Sequence, residues 1–117
     1  MIEEIFNENE DVEAYAKLQG IGIKLFITKK TVIIGREPGE ETEFEQKLTL
    51  TGSQKISRQH MKIFWDGIER CWKIKSLSKN KIYVNKELIT KDDEAKKLED
   101  CAALRFDKFL VYFFPAI

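Results

Sequence analysis

The sequence is poor in the groups that most catalytic and metal chemistry needs. Of 117 residues, one is histidine, His60, and two are cysteine, Cys71 and Cys101. The cysteines lie far apart with no CxxC spacing, so neither a zinc site nor a redox motif is expected, and the reading is two buried, reduced thiols in an intracellular protein, with a disulfide between them as the alternative. Glycine is also sparse at 6 residues. The one G-x-G, Gly20-Ile21-Gly22, has no third glycine or helical pattern after it, which excludes a dinucleotide fingerprint. Ser57 and His60 are three residues apart, but no acid in that stretch orients the ring and no glycine elbow holds the serine, so nucleophilic catalysis is not expected. No apolar run is long enough to span a bilayer. The opening Met1-Ile2-Glu3-Glu4 lacks the basic and apolar regions of a secretory signal. These absences point to a non-enzymatic protein with no metal, no cofactor and no membrane span.

Charge is present in quantity but segregated. The net formal charge is zero, from 20 Lys/Arg and 20 Asp/Glu. Residues 3–13 carry Glu3, Glu4, Glu8, Glu10, Asp11 and Glu13 without a base, and a second acidic stretch runs from Glu37 to Glu45. Between Lys47 and Lys91 there are eleven Lys/Arg against three Asp/Glu. Such a field favours an anionic partner, although solvated strand faces account for most of those lysines.

Short β-branched and aromatic runs recur along the chain, separated by turn residues. Strands are expected over Ala14–Leu18, Ile23–Ile27, Thr31–Ile34, Leu48–Leu50, Met61–Trp65, Cys71–Leu77, Ile82–Val84, Glu87–Ile89, Ala102–Phe106 and Phe109–Phe114. Asp66-Gly67 and Asn85-Lys86 read as hairpin turns, the second because Asn tolerates φ > 0. Lys91–Asp100 has helix-like composition but reads as a charged loop, with Thr90 and Asp93 spaced to cap one turn. Short strands at regular spacing with almost no helix indicate an all-β, two-sheet sandwich. Residues 1–13 read as an acidic N-terminal arm, either disordered or a loose amphipathic turn, and 14–117 as one domain.

Three loops gather the polar groups that a β fold can bring to one rim. Gly35-Arg36 ends a strand with a guanidinium able to fork two N–H bonds onto an oxyanion, or simply to pair with Glu37 or Glu41. Ser57-Arg58-Gln59-His60 offers a hydroxyl, a second guanidinium and the lone imidazole. Ser57 suits one phosphate oxygen, or is an ordinary turn serine. His60 is best read as structural, tying down the Ser57 loop. In Lys79-Asn80-Lys81, the carboxamide can hold an extended peptide by its backbone or shape a turn, and the lysines add point charges.

The ordered set Gly35-Arg36, Ser57-Arg58-Gln59-His60 and Lys79-Asn80-Lys81-Ile82-Tyr83-Val84-Asn85-Lys86 resembles the forkhead-associated domain, from about Ala16 to Phe114. Ala16–Gly20 and the Lys79-Asn80 pair look most like the version in forkhead transcription regulators. The resemblance implies a sandwich of about eleven mostly antiparallel strands with binding loops at one end. It implies a phosphothreonine-containing protein as partner, in signalling or transcription regulation, and a monomer in the nucleus rather than the cytoplasm. By the same resemblance Arg36 contacts the phosphopeptide, Ser57 and Arg58 bind phosphate, Lys79 adds charge, and Asn80 holds the peptide backbone. Gly35, His60 and Asn85 support the loops. The chain departs from the family in two places where glycine usually follows asparagine, Lys81 and Lys86, and in the acidic insertion 37–45. A lysine held at φ > 0 there is strained by about 1–3 kcal/mol.

Two rival readings remain. One is nucleic-acid binding through the basic stretch 47–91, which lacks a recognition helix and a stacking platform. The other is a phosphate-independent scaffold using Trp65, Trp72, Tyr112, Phe113 and Phe114, most of which core packing explains.

Overall fold

The computed structural model describes residues 3–4 and 13–116. At the N-terminus β1 (Glu3–Glu4) pairs antiparallel with β2 (Glu13–Ala14). The rest of the acidic arm expected over 1–13 lies outside the described residues.

Six strands form one antiparallel sheet: β3 (Ala16–Gly20), β4 (Ile23–Ile27), β9 (Ile82–Val84), β10 (Glu87–Ile89), β12 (Ala102–Phe106) and β13 (Phe109–Pro115). Their spatial order is β10-β9-β12-β13-β3-β4. The second sheet holds β5 (Thr31–Gly35), β6 (Glu45–Thr49), β7 (Met61–Asp66), β8 (Cys71–Ser76) and β11 (Lys96–Lys97), in the order β11-β8-β7-β5-β6. Among the described residues there is no helix, and the two sheets contain eleven strands, antiparallel except where β6 runs parallel to β5. The fold is the all-β sandwich that the spacing of strands and turns predicts.

Alternation in sequence becomes sidedness in the sheets. Along β8, Trp72, Ile74 and Ser76 are buried while Cys71, Lys73 and Lys75 are half-buried on the other face. The inner faces meet in a core that includes Leu18, Ile27, Val32, Met61, Ile63, Ile74, Ile82, Leu104 and Phe113, each essentially without solvent contact. Burying one such side chain contributes about 1.5–3 kcal/mol, against about 0–1 kcal/mol for an exposed ion pair, so this layer and not the surface charge holds the sandwich together. Trp72 links the sheets, packing edge-on against Trp65 at 5.7 Å and Phe113 at 5.8 Å.

Three local expectations need correction. The strand read at Leu48–Leu50 starts earlier, at Glu45. Gln46 is the cause: its buried carboxamide accepts from the amides of Thr28 and Lys29 at 2.7 and 3.1 Å and donates to the Phe26 carbonyl at 3.0 Å. That anchor aligns Gln46 with Val32 and draws the preceding residue into the sheet. The charged stretch 91–100 is mostly loop, but Lys96–Lys97 edge onto β8. Asp93 accepts from the Thr90 amide at 2.7 Å without starting a helix. Both thiols are free, yet neither is buried: Cys71 is half-buried on the outer face of β8, and Cys101 is exposed in a turn with φ 61°.

Candidate functional site

The first loop starts where β5 ends. Gly35 is buried, and a β-carbon added to it would lie 2.0 Å from the Arg58 carbonyl oxygen and 2.9 Å from that of Ser57. Only glycine lets the two loops approach so closely. The contact is stitched by backbone bonds from Arg36 N–H to Ser57 O (2.9 Å), Glu37 N–H to Arg58 O (3.1 Å) and His60 N–H to Ile34 O (2.8 Å). The Leu77 amide then donates to His60 O at 3.0 Å, bringing the third loop alongside.

His60 fixes the middle loop from beneath. Its Nδ1 accepts the Ser57 amide at 3.0 Å, which assigns the ring proton to Nε2. The ring is 1 % exposed and packs on Phe106 at 5.6 Å. Its Nε2 is buried with no hydrogen-bond partner among the described residues. Burial lowers the imidazole pKa, and the opposing attraction of Asp107 is the smaller effect. The ring is thus recessed beneath the loop and is not presented at the rim.

Above it the polar tips converge. Ser57 Oγ lies 2.5 Å from Ser78 Oγ and accepts from Asn80 Nδ2 at 3.1 Å. Asn80 Nδ2 also donates to Lys55 O at 2.7 Å, and the Asn80 amide donates to Ser78 Oγ at 2.9 Å. Ser78 is buried, and Ser76 Oγ in turn donates to its carbonyl at 3.0 Å. Ser76 and Ser78 were not singled out from sequence. Their signal is two inward-facing serines, at the end of β8 and just beyond it, where the core pattern alone would place apolar residues.

Two guanidiniums flank this network. Arg36 Nε donates to Ile56 O at 3.1 Å, which points the group along the rim, and its Nη1 meets Glu37 Oε1 at 3.2 Å. Arg58 is 73 % exposed, with its Nε 3.8 Å from Glu37 Oε2. Glu37 therefore bridges both arginines. Solvent-exposed pairs of this sort contribute only about 0–1 kcal/mol, so a multiply charged anion can displace the carboxylate. The remainder of the acidic insertion folds away: Lys29 Nζ donates to Thr42 O at 2.6 Å, and the Thr42 hydroxyl accepts from the Phe44 and Glu45 amides.

Lys79, next to Asn80 in sequence, is exposed and makes no bond to the described residues. Asn85 sits at the far end of β9. Its amide donates to Ala103 O and its carboxamide oxygen accepts from the Ala103 amide, both at 2.9 Å, so its bonds go to β12 and not to the loops. Among the described residues no three His, Cys, Asp or Glu side chains cluster as a metal site would require.

Three loops thus meet at one rim of a two-sheet sandwich, with Arg36, Ser57, Arg58 and Asn80 gathered there. The FHA domain family model matches residues 32–107, and the chain belongs to that family. Over 111 residues it is 31% identical to the transcriptional activator FHA1 of Nicotiana tabacum, covering 93% of this chain and 53% of that protein. Over 107 residues it is 31% identical to the FHA domain-containing protein FHA1 of Arabidopsis thaliana, covering 90% of this chain and 43% of that protein. The chain thus spans about half, or less, of these relatives. Among solved structures, the MEK1 FHA domain in complex with the HOP1 pThr318 peptide superimposes with a TM-score of 0.69 at 24% identity, covering 89% of this chain and 99% of that one. Mycobacterium tuberculosis EmbR in complex with a phosphopeptide matches at TM-score 0.69 and 24% identity, over 91% of this chain and 26% of that one. These two likenesses establish the shared fold.

Proposed function

We propose that this chain is a phosphothreonine-dependent peptide-binding module, acting as a monomer in signalling or transcription regulation, with nuclear partners. The carrying observation is the convergence of Arg36, Ser57 and Asn80 on one rim. In this reading Arg36 and Arg58 exchange Glu37 for the phosphate, which carries about −1.5 to −2 charges at neutral pH. Ser57 donates its hydroxyl to a phosphate oxygen, Lys79 adds a point charge, and Asn80 turns its carboxamide to the peptide backbone. Gly35 and His60 hold the loops at the spacing that lets one group touch all of them. Asn85 acts at a distance, by fixing the register of β9. Residues 14–117 form the binding domain, and 1–13 an appended acidic arm. The module works without cofactor, metal or catalysis.

Unphosphorylated threonine offers the two guanidiniums nothing to replace Glu37, and this difference is the switch. Removing one partner of such a charge pair typically costs about 2–5 kcal/mol. Isothermal calorimetry with a degenerate phosphothreonine peptide pool and its unphosphorylated twin is the test. Binding only to the phosphorylated pool, lost in Arg36→Ala and Ser57→Ala, is the expected result. Equal affinity for both pools refutes the reading.

The nucleic-acid reading finds no comparable support. Lys73 is held by Asp66 and Glu69 at 2.8 and 2.7 Å, and Lys75 by the carbonyls of Lys91 and Asp93, so part of the basic stretch is satisfied internally.

A further inference from the structure

The outer face of the six-stranded sheet carries a second feature, which borders the rim at Tyr83 and Arg105 and extends from there toward Lys86 and Tyr112. Side chains at Tyr83 on β9, Ala103 and Arg105 on β12, and Leu110, Tyr112 and Phe114 on β13 point outward. None of these outward positions is acidic. The register sets Arg105 between Tyr83 and Leu110, and Ala103 beside Tyr112. Directly paired side chains lie about 5 Å apart, so the small Ala103 leaves a depression among large neighbours. That depression is a hollow of about 640 Å³, lined also by Asn85 and Lys86.

Two cations border the hollow, and neither has a counter-ion. Arg105 and Lys86 are exposed and make no hydrogen bond or ion pair with the described residues. The one acid beside Lys86, Glu87, is directed elsewhere, to Lys96 of the other sheet at 2.6 Å. Lys86 is also held at φ 73°, directly after Asn85 at φ 49°. Glycine would satisfy that turn without strain. A side chain kept where the backbone disfavours one is an outlier that points to use of the side chain. Tyr112 is 40 % exposed and Leu88, paired with Tyr83, is 43 % exposed, which extends the apolar floor.

We propose that this hollow is a second docking site, independent of phosphate, for a protein segment in which acidic residues alternate with aliphatic or aromatic ones. The carboxylates would meet Lys86 and Arg105, and the apolar side chains would lie over Ala103 between Tyr83, Leu110 and Tyr112. Charge complementarity selects an acidic occupant, and the leucines select a peptide. Single-stranded nucleic acid needs a line of phosphate contacts and successive stacking planes. Here there are two cations, and the two tyrosines stand on strands separated by β12.

The test is amide chemical-shift mapping on the ¹⁵N-labelled full chain. Its probe is a short unphosphorylated peptide alternating Glu with Leu and Phe, beside a phosphothreonine peptide and oligothymidine. The expected result is perturbation by the acidic peptide at Tyr83, Ala103, Arg105 and Tyr112, retained in Arg36→Ala. Lys86→Gly combined with Tyr112→Ala weakens that binding about tenfold or more and leaves phosphothreonine-peptide affinity unchanged. Lys86→Gly alone weakens it while raising the unfolding midpoint, a pairing that a purely structural lysine would not give. The proposal is overturned by no perturbation of the hollow at millimolar peptide, by perturbation confined to the rim loops, by unaltered affinity in the double variant, or by oligothymidine binding the hollow more tightly than the peptide.

Discussion

A β-carbon on Gly35 would sit 2.0 Å from the carbonyl oxygen of Arg58. The neighbour is backbone, and the same carbonyl accepts the Glu37 amide, so it cannot move without breaking the stitch between loops. Gly35→Ala is therefore expected to cost about 1–3 kcal/mol, the range for overpacking a tight site. It should also abolish phosphopeptide binding by separating Arg36 from Ser57. Chemical denaturation and calorimetry on the one variant check both outcomes.

His60 makes stability depend on pH in a stated direction. Burial lowers its pKa in the folded chain below the ordinary 6.5, so the unfolded chain takes up the proton more readily. Stability is complete above about pH 6.5 and declines as pH falls from there through the folded value, because a protonated Nδ1 can no longer accept the Ser57 amide. Thermal unfolding across pH 5 to 8, without peptide, should show the midpoint dropping on the acid side. His60→Gln should lower the midpoint at neutral pH and flatten that acid-side slope.

Ser78 lies under the rim and joins its two polar tips. Its Oγ contacts Ser57 Oγ at 2.5 Å and accepts the Asn80 amide at 2.9 Å. A hydrogen bond of this kind contributes about 0.5–1.5 kcal/mol net. Ser78→Ala is expected to weaken phosphothreonine-peptide binding about fivefold, with a smaller loss than Ser57→Ala because Ser57 keeps its bond from Asn80. Calorimetry on the two variants orders them, and an unchanged affinity in Ser78→Ala would remove it from the site.

The sheet strands and the rim were legible for a simple reason. Period-two patterning fixes which side chains face the core, as at Trp72 and Ile74, and turn residues fix where strands end. Arg36 and Asn80 stood out because they follow strand-forming runs, Ser57 because it precedes one, and each carries a group that the core rejects. What could not be read was set by contacts between distant residues. Gln46 looks like any polar residue until its carboxamide reaches Phe26, Thr28 and Lys29, some twenty residues earlier. Ser78 is likewise an ordinary turn serine until β8 and the Ser57 loop are juxtaposed. Glu37 was one of several acids near Arg36, and only the loop geometry selects it over Glu41, which instead faces Lys29 at 3.5 Å.

Of the two places where lysine follows asparagine, the structure strains one. Lys81 is not among the described residues with positive φ, whereas Lys86 is, at 73°. The left-handed conformation costs a non-glycine residue about 1–2 kcal/mol. Lys86 has no partner among the described residues whose loss would offset that relief. Lys86→Gly is therefore expected to stabilise the fold by about 1 kcal/mol, reduced by glycine's greater freedom in the unfolded chain. Lys81→Gly at an unstrained position should be neutral or destabilising. Urea unfolding of the two variants separates them: a higher midpoint for Lys86→Gly alone identifies the strained turn, and a gain at Lys81 instead would contradict the backbone conformation described for the β9 entry.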